Sequence, residues 1–482
     1  MSSFSVGFYR FQISSEYKAI HAWIYLFSTC FTIALFVAIN SLQGFVLKQI
    51  LSIPTNQLGN YTGSLTFYDE LMVLSTISLW GILSDRIGRF PTFAAGFFIE
   101  SIGLGFFPFM ERYSPDLILC RLVFAAGGAM ASMTITGLLA DLCGSQDGDR
   151  GKLSALSGFF SGVGAIFAVS VLLPLPSRFA DAIAGLRVTF LLCSALCLVM
   201  CILIVSVFFA ISPLSIPASA SNHSSQIIVE QSESQSSLSP STDEPTPLVS
   251  PLNTLHTPSS FIESLKKSAI DGIVATKDPS VLLGVMASFL ARSDSVSLTL
   301  FLPIWVLKHY ISIGECIDTG AGDVIKDSCR EAYVQASILS GVTQTFALVA
   351  APFIGVLLDR YKREWICLSA GASAAVGYIL LSLQSNPLSR LNFLFLFFIG
   401  VGEIGLIISS MTLVTKATIP THSRGTVAGI SSFVGAVGVL VTTKGGGLLF
   451  DISPTLPLLL LGILHASFLV LGSVGLYILR KS

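Results

Sequence analysis

The sequence predicts an all-α polytopic membrane protein built as two pseudo-symmetric six-helix bundles. First, hydrophobic residues make up 52% of the 482-residue chain, charged residues only 11%, and mean hydropathy is +0.78. A soluble chain cannot hide that much apolar surface, so its solvent is lipid. Second, twelve mainly apolar runs begin near residues 20, 66, 91, 115, 153, 185, 281, 331, 364, 391, 425 and 454. A span needs about 20 such residues. Backbone groups in lipid must bond within their own segment, so the runs are helices, too long and unalternating for barrel strands. Third, the decapeptide that starts at Gly81 and runs through Asp85, Arg86, Gly88 and Arg89 returns 274 residues later as Gly355, Asp359, Arg360, Lys362 and Arg363. Arg150, Gly151, Ser157, Phe159, Val163 and Gly164 recur at the same offset as Arg424, Gly425, Ser431, Phe433, Val437 and Gly438. Two matches at one offset mark a duplicated unit.

Taken in order, residues 1–18 form an amino-terminal segment without a cleavable signal pattern, so the first helix is expected to act as an uncleaved signal-anchor. Residues 19–213 hold the first six helices. Residues 214–279 break the hydrophobic pattern: up to about 260 they are rich in Ser and Pro and cannot assemble a core, then a short surface helix follows. Residues 280–479 hold helices seven to twelve, and 480–482 form the carboxy terminus. With both termini cytoplasmic, the inner segments carry 16 of the 27 Lys and Arg, about eight lie outside, and Arg121, Arg292 and Lys444 fall within helices. That asymmetry follows the positive-inside rule. The loop after helix seven then faces an oxidising side, where Cys316 and Cys329 form a candidate disulfide. Asn60-Tyr61-Thr62 is a glycosylation sequon in the first outer loop. Within the linker, Glu244 to Val249 is similar to an acidic dileucine-type sorting signal, which points to a vacuolar or lysosomal membrane, with the plasma membrane as the alternative.

Gly81-x-x-x-Asp85-Arg86-x-Gly88-Arg89 resembles the signature between helices two and three of the major facilitator superfamily. With the second copy and the twelve runs, the resemblance covers the chain except the linker. It implies the two-bundle transporter fold and a gate at the cytoplasmic surface. In that gate Asp85 would meet the positive start of helix eleven near Arg424. Arg86 and Arg89 would engage acidic groups such as Asp141. Gly355, Asp359, Arg360 and Arg363 would form a weaker second gate, because Lys362 stands where the first copy has Gly88. Helix four, reading Arg121-Leu122-Val123-Phe124-Ala125-Ala126-Gly127, is close to an element that the family links to proton coupling, but Phe124 and Ala125 depart from it. Helix five lacks the Gly-Pro of drug–proton antiporters, and sugar-porter elements are missing after helices six and twelve.

The family's cavity is lined by helices one, four, seven and ten, and ionisable residues fall on three of them. A charge at mid-membrane costs about 2.5–3.5 kcal/mol on insertion scales, so each needs a reason. Arg121 lies on helix four, Arg292 and Asp294 on helix seven, Glu403 on helix ten, with Asn40 and Gln43 on helix one. Two residues apart on a helix is about 200° of rotation, so Arg292 and Asp294 cannot pair along one face. Two readings stay open. Asp294 or Glu403 titrates as a proton site with Arg292 as a switchable partner or substrate contact, or Arg292 and Glu403 form a permanent structural pair. Asp69 and Glu70 are expected to start helix two near the outer surface, as helix-start residues or in proton access. Glu100 reads as structural, and Lys444 as snorkelling outward.

No phosphate-binding Gly-Lys-Ser/Thr loop, nucleophile–base set or metal-ligand spacing occurs, which argues against an enzyme, a resident cofactor and a metal site. The expectation is a monomeric secondary transporter of a small-molecule substrate by alternating access, with protons and the lipid bilayer as partners and no nucleic acid. The alternatives are an uncoupled facilitator, a transporter-like sensor signalling through the linker, and a lipid exporter.

Overall fold

The computed structural model describes residues 2–6, 9–13, 17–143, 147–211, 274, 278–316, 330–414 and 421–481. Twelve long helices are described in two sets of six. The first set is α1 (Ala19–Gln49), α2 (Leu58–Ile87), α3 (Arg89–Phe106), α4 (Ile118–Cys143), α5 (Asp147–Phe167) and α6 (Ala182–Ile211). The second is α7 (Pro279–Ser312), α8 (Arg330–Arg360), α9 (Arg363–Ser382), α10 (Leu391–Val414), α11 (Thr421–Ile452) and α12 (Leu456–Lys481). Before them lies a short antiparallel hairpin, β1 (Ser2–Val6) and β2 (Tyr9–Ile13), pairing Phe4 with Phe11. The sequence reading made no provision for it.

The duplication is visible in the helices. Arg89 and Arg363, Asp147 and Thr421, and Ala182 and Leu456 open α3 and α9, α5 and α11, and α6 and α12, each pair 274 residues apart. Within the first half α3 packs on α4 and α6, and α1 on α5; within the second α9 packs on α10 and α12, and α7 on α10 and α11. The halves meet along α2–α11, α1–α7 and α5–α8. Eleven of the helices are long and apolar enough to cross a membrane. The twelfth, α2, carries Asp69, Glu70, Asp85 and Arg86, yet its 30 residues span about 45 Å.

The largest departure from the sequence reading is the start of α2. It opens at Leu58, eight residues before the expected 66, so Asn60 is a helical residue rather than a loop residue. The segment Gly59–Ser64 is polar and glycine-rich, a poor helix former alone. Tertiary packing decides the matter: α11 lies so close that a Cβ on Gly63 would collide with the carbonyl of Thr443, and one on Gly59 with Phe450 and the carbonyl of Gly447. Asp69 and Glu70 are therefore mid-helix residues, about 17 Å from the start of α2.

Candidate functional site

The face bearing the termini is called here the terminal face, the opposite one the distal face. The helices bring the ionisable residues into two clusters at intermediate depth and one latch at the distal face.

The first cluster lies between the halves. Arg121 is fully buried on α4 and binds two groups of its own half. Its Nε donates to Asp69 Oδ2 at 2.6 Å, and its Nη2 to Asn40 Oδ1 at 2.6 Å. Its guanidinium also lies 5.6 Å from the centre of the Phe124 ring. Arg121 Nη1 and Asp69 Oδ1 are buried without a hydrogen bond. Next to Asp69, Glu70 turns to the other half, and its Oε1 accepts from Arg292 Nη2 at 3.1 Å. The Arg292 side chain is 44% exposed, that of Arg121 1%. Gln43 binds Thr66 at 2.9 Å. Arg292 thus pairs with Glu70 and not, as the structural alternative had it, with Glu403, and Asp69 and Glu70 are not helix-start residues.

The second cluster lies on the other side of α7. The rotation of about 200° between Arg292 and Asp294 aims Asp294 away from the first half. Its Oδ2 lies 3.0 Å from Nε2 of His465 on α12, and both side chains are fully buried. The next residue, Ser295, donates to Glu403 Oε1 of α10 at 2.7 Å. The ring of Tyr378 on α9 lies 5.4 Å from the imidazole. Sequence reasoning missed His465, which sits alone in an apolar run. Glu100, on α3, is buried with neither oxygen hydrogen-bonded.

The latch holds the halves together distally. Asp451, at the end of α11, accepts from the backbone N–H groups of Gly59 at 2.8 Å and Asn60 at 3.0 Å. Lys444 Nζ donates to Asn60 Oδ1 at 3.0 Å and Ser64 Oγ at 2.7 Å, so it is bound inside the interface and does not snorkel. Tyr333 of α8 donates to Gln49 of α1 at 2.7 Å and stacks on Phe45, and Ser41 donates to the carbonyl of Thr299 at 3.2 Å. The conformation is closed distally.

At the terminal face Arg89 Nε donates to Asp141 Oδ2 at 3.2 Å and its Nη1 to Ser84 at 3.1 Å. In the second copy Arg363 reaches the carbonyl of Thr412 on α10 at 3.4 Å. Gly88 joins α2 to α3 at φ +105°, which a side chain would strain, whereas Lys362 makes the corresponding turn at φ −63°. That difference accounts for the glycine in one copy only. Arg360 is exposed. The side chains of Asp85, Arg86, Asp359 and Arg424 lie outside the described residues, as do Cys329, the linker before residue 274 and its sorting-like motif. Cys316 is disulfide-bonded. Among the described residues no group of three or more His, Cys, Asp or Glu could hold a metal ion.

Comparisons with known proteins bear on the fold. Magnetosome protein MamH of Paramagnetospirillum magneticum is 24% identical over 96% of this chain and 93% of its own. The crystal structure of a D-xylose–proton symporter superposes with a TM-score of 0.64 at 14% identity, covering 94% of this chain and 97% of that one. That of the nucleoside transporter NupG gives 0.65 at 12% identity, covering 94% and 99%. At such identities the likeness to these structures shows the fold alone. The sequence model of the Major Facilitator Superfamily matches residues 23–443, and the chain belongs to that family.

Proposed function

We propose that the chain is a secondary active transporter that moves a small organic solute by alternating access and couples the movement to protons. One observation carries this reading. Asp69 and Glu70, neighbours on α2, bind arginines of opposite halves. Removing one partner of a buried pair costs about 3–5 kcal/mol, so Asp69–Arg121 stays intact through a cycle. Glu70–Arg292 joins the halves through one bond of 3.1 Å, and with Arg292 nearly half exposed this pair can exchange. A proton on Glu70, or an anionic group of a solute on Arg292, replaces that bond. The deep contact between the halves is then released and the cavity can open toward the other face.

The excess of basic residues at the terminal face supports cytoplasmic termini. The distal latch then closes the outer side, and the Gly81–Arg89 motif with Asp141 forms the inner gate. Cys316 and Cys329 would form the disulfide of the outer loop. The membrane of residence is vacuolar, lysosomal or plasma.

The test is transport into liposomes containing an internal pH dye. The panel comprises D-xylose, nucleosides, amino acids, polyamines, organic acids and cationic drugs, with wild type set against Glu70→Gln, Asp294→Asn and Glu403→Gln. A solute-dependent proton flux that a neutralised carboxyl abolishes supports the reading. Solute flux with no pH change, indifferent to all three substitutions, makes the protein an uncoupled facilitator. Absence of flux for the whole panel, with a cellular output lost on deletion of the linker, makes it a sensor.

A further inference from the structure

The far side of α7 holds a proton that bonding geometry demands. His465 Nδ1 lies 2.8 Å from the carbonyl of Leu461, one turn earlier on α12. A carbonyl only accepts, so Nδ1 carries a hydrogen. Nε2 is then left to face Asp294 Oδ2 at 3.0 Å, in a site where both side chains are fully buried. Without a further proton, two acceptors would oppose each other with no donor between them, and a buried polar group left unsatisfied costs about 1–3 kcal/mol or more if charged. One proton therefore sits between Nε2 and Oδ2, whichever atom holds it.

The surroundings make that proton the pivot of a charge balance. Facing the pair are Glu403 from α10 and the Tyr378 hydroxyl from α9. Glu403 is buried, with one oxygen bound to Ser295 and the other, Oε2, unpartnered. Asp294 Oδ1 is likewise buried, with the Tyr378 hydroxyl buried beside Asp294. No described ion pair or hydrogen bond brings a Lys or Arg to this set from α8, α11 or any other helix, and Arg292 is turned to Glu70. Two carboxyls and one imidazole are neutral with two protons beyond the Nδ1 hydrogen. With one fewer, a net negative charge stands alone in the bundle, which apolar surroundings penalise.

We propose that Asp294 and His465 jointly store the proton that the transport cycle moves, and that Glu403 passes it to the cavity. This rests on the proton-coupled reading above and adds His465, on a helix outside the four expected to line the cavity. In the transfer Glu403 first loses its own proton from Oε2 to water at the open face; the bond to hydrogen at Nε2 or Oδ2 then breaks as a new O–H bond forms at Glu403 Oε2. Ser295, adjacent to Asp294, ties Glu403 to the same helix, so a shift of α7 moves donor and recipient together. The rival role is a permanent pair that joins α7 to α12.

The experiment follows the distal latch in the full chain, in lipid nanodiscs, by amide hydrogen exchange across neutral pH, corrected for intrinsic exchange. The amides of Gly59 and Asn60 are bonded to Asp451 in the closed state and report its opening. No solute is needed. Opening linked to one proton changes by up to about tenfold per pH unit. Wild type should show such a slope, and in His465→Gln and Asp294→Asn it should fall to what Glu70 alone contributes. Asp294→Asn guards against misfolding, because its amide can donate to Nε2 and keep the pair bonded without the mobile proton. If both variants keep the wild-type slope, the stored proton is not the coupled one and the proposal falls, while proton coupling elsewhere stands. A flat wild type overturns both.

Discussion

Asp451 supplies a helix cap from the wrong half of the molecule, and removing it should shift the conformational equilibrium. The residue before α2, Gln57, makes no side-chain capping bond, and the first free N–H groups of the helix are met by Asp451 instead. An N-cap is worth about 0.5–2 kcal/mol, with a carboxylate at a helix start adding about 0.3–1 kcal/mol. Asp451 is part-exposed, so water recovers some of this and about 1–1.5 kcal/mol is a fair figure. The bonds join α2 to α11 and exist only when the distal face is closed, so Asp451→Ala should lose that energy in the closed state alone. The open population then rises by a factor of roughly 5–13, since about 1.4 kcal/mol is tenfold. Ser41 is buried against α7 through the Thr299 carbonyl, so Ser41→Cys should label with a maleimide only on opening. Measured against the parent chain without the added cysteine, labelling should accelerate by that factor in Asp451→Ala. An unchanged rate would refute the cross-half cap as a source of closed-state stability, and a decrease would reverse its sign.

Other outcomes follow from the same geometry. Arg121→Ala leaves Asp69 buried without its cation and should destabilise the first half by about 3–5 kcal/mol, seen as a lowered denaturation temperature; Arg121→Ala with Asp69→Ala should recover part of the loss. Glu70→Gln keeps an oxygen that can accept from Arg292 and should destabilise the protein less than Arg121→Ala does while altering transport rate, which separates a working pair from a structural one. Gly63→Val puts a branched side chain against the Thr443 carbonyl and should prevent distal closure, giving rapid labelling of Ser41→Cys. Asp85→Ala removes the gate contact expected at the terminal face and should slow that labelling, the opposite sign to Asp451→Ala.

Hydropathy made twelve segments legible because lipid imposes a one-dimensional rule: span and apolarity coincide along each helix. The internal repeat made the two halves legible for the same reason, as local residues recur at fixed spacing. Three features resisted. The start of α2 depends on α11, with Asp451 lying 392 residues from Gly59, so its polar glycine-rich turn reads as loop until the partner is in place. That error carried Asp69 and Glu70 to the membrane surface. A charge count would have signalled it, because Arg121 and Arg292 at mid-membrane each demand an anion and α2 holds two adjacent ones. The pairing of Arg292 with Glu70 rather than Glu403 turns on which face of α7 meets which half, a tertiary fact. His465 resisted most, since one histidine in an apolar run has meaning only when Asp294 lies opposite.

These features converge on α2. The helix is held at its distal end by the Asp451 carboxylate, about 14 Å further on by Arg121 and Arg292, and it ends at Gly88 in the Gly81–Arg89 motif. Two of these attachments, Asp451 and Arg292, belong to the second half, and one, Arg121, to its own. A helix bonded to its own half through a pair whose arginine is fully buried moves with that half as a rigid body, because breaking that pair costs more than breaking either attachment to the other half. The bonds to Asp451 and Arg292 therefore open together or not at all. A single event at Glu70, weak in itself, gains leverage because the Asp451 cap at the far end of the same rigid rod yields with it.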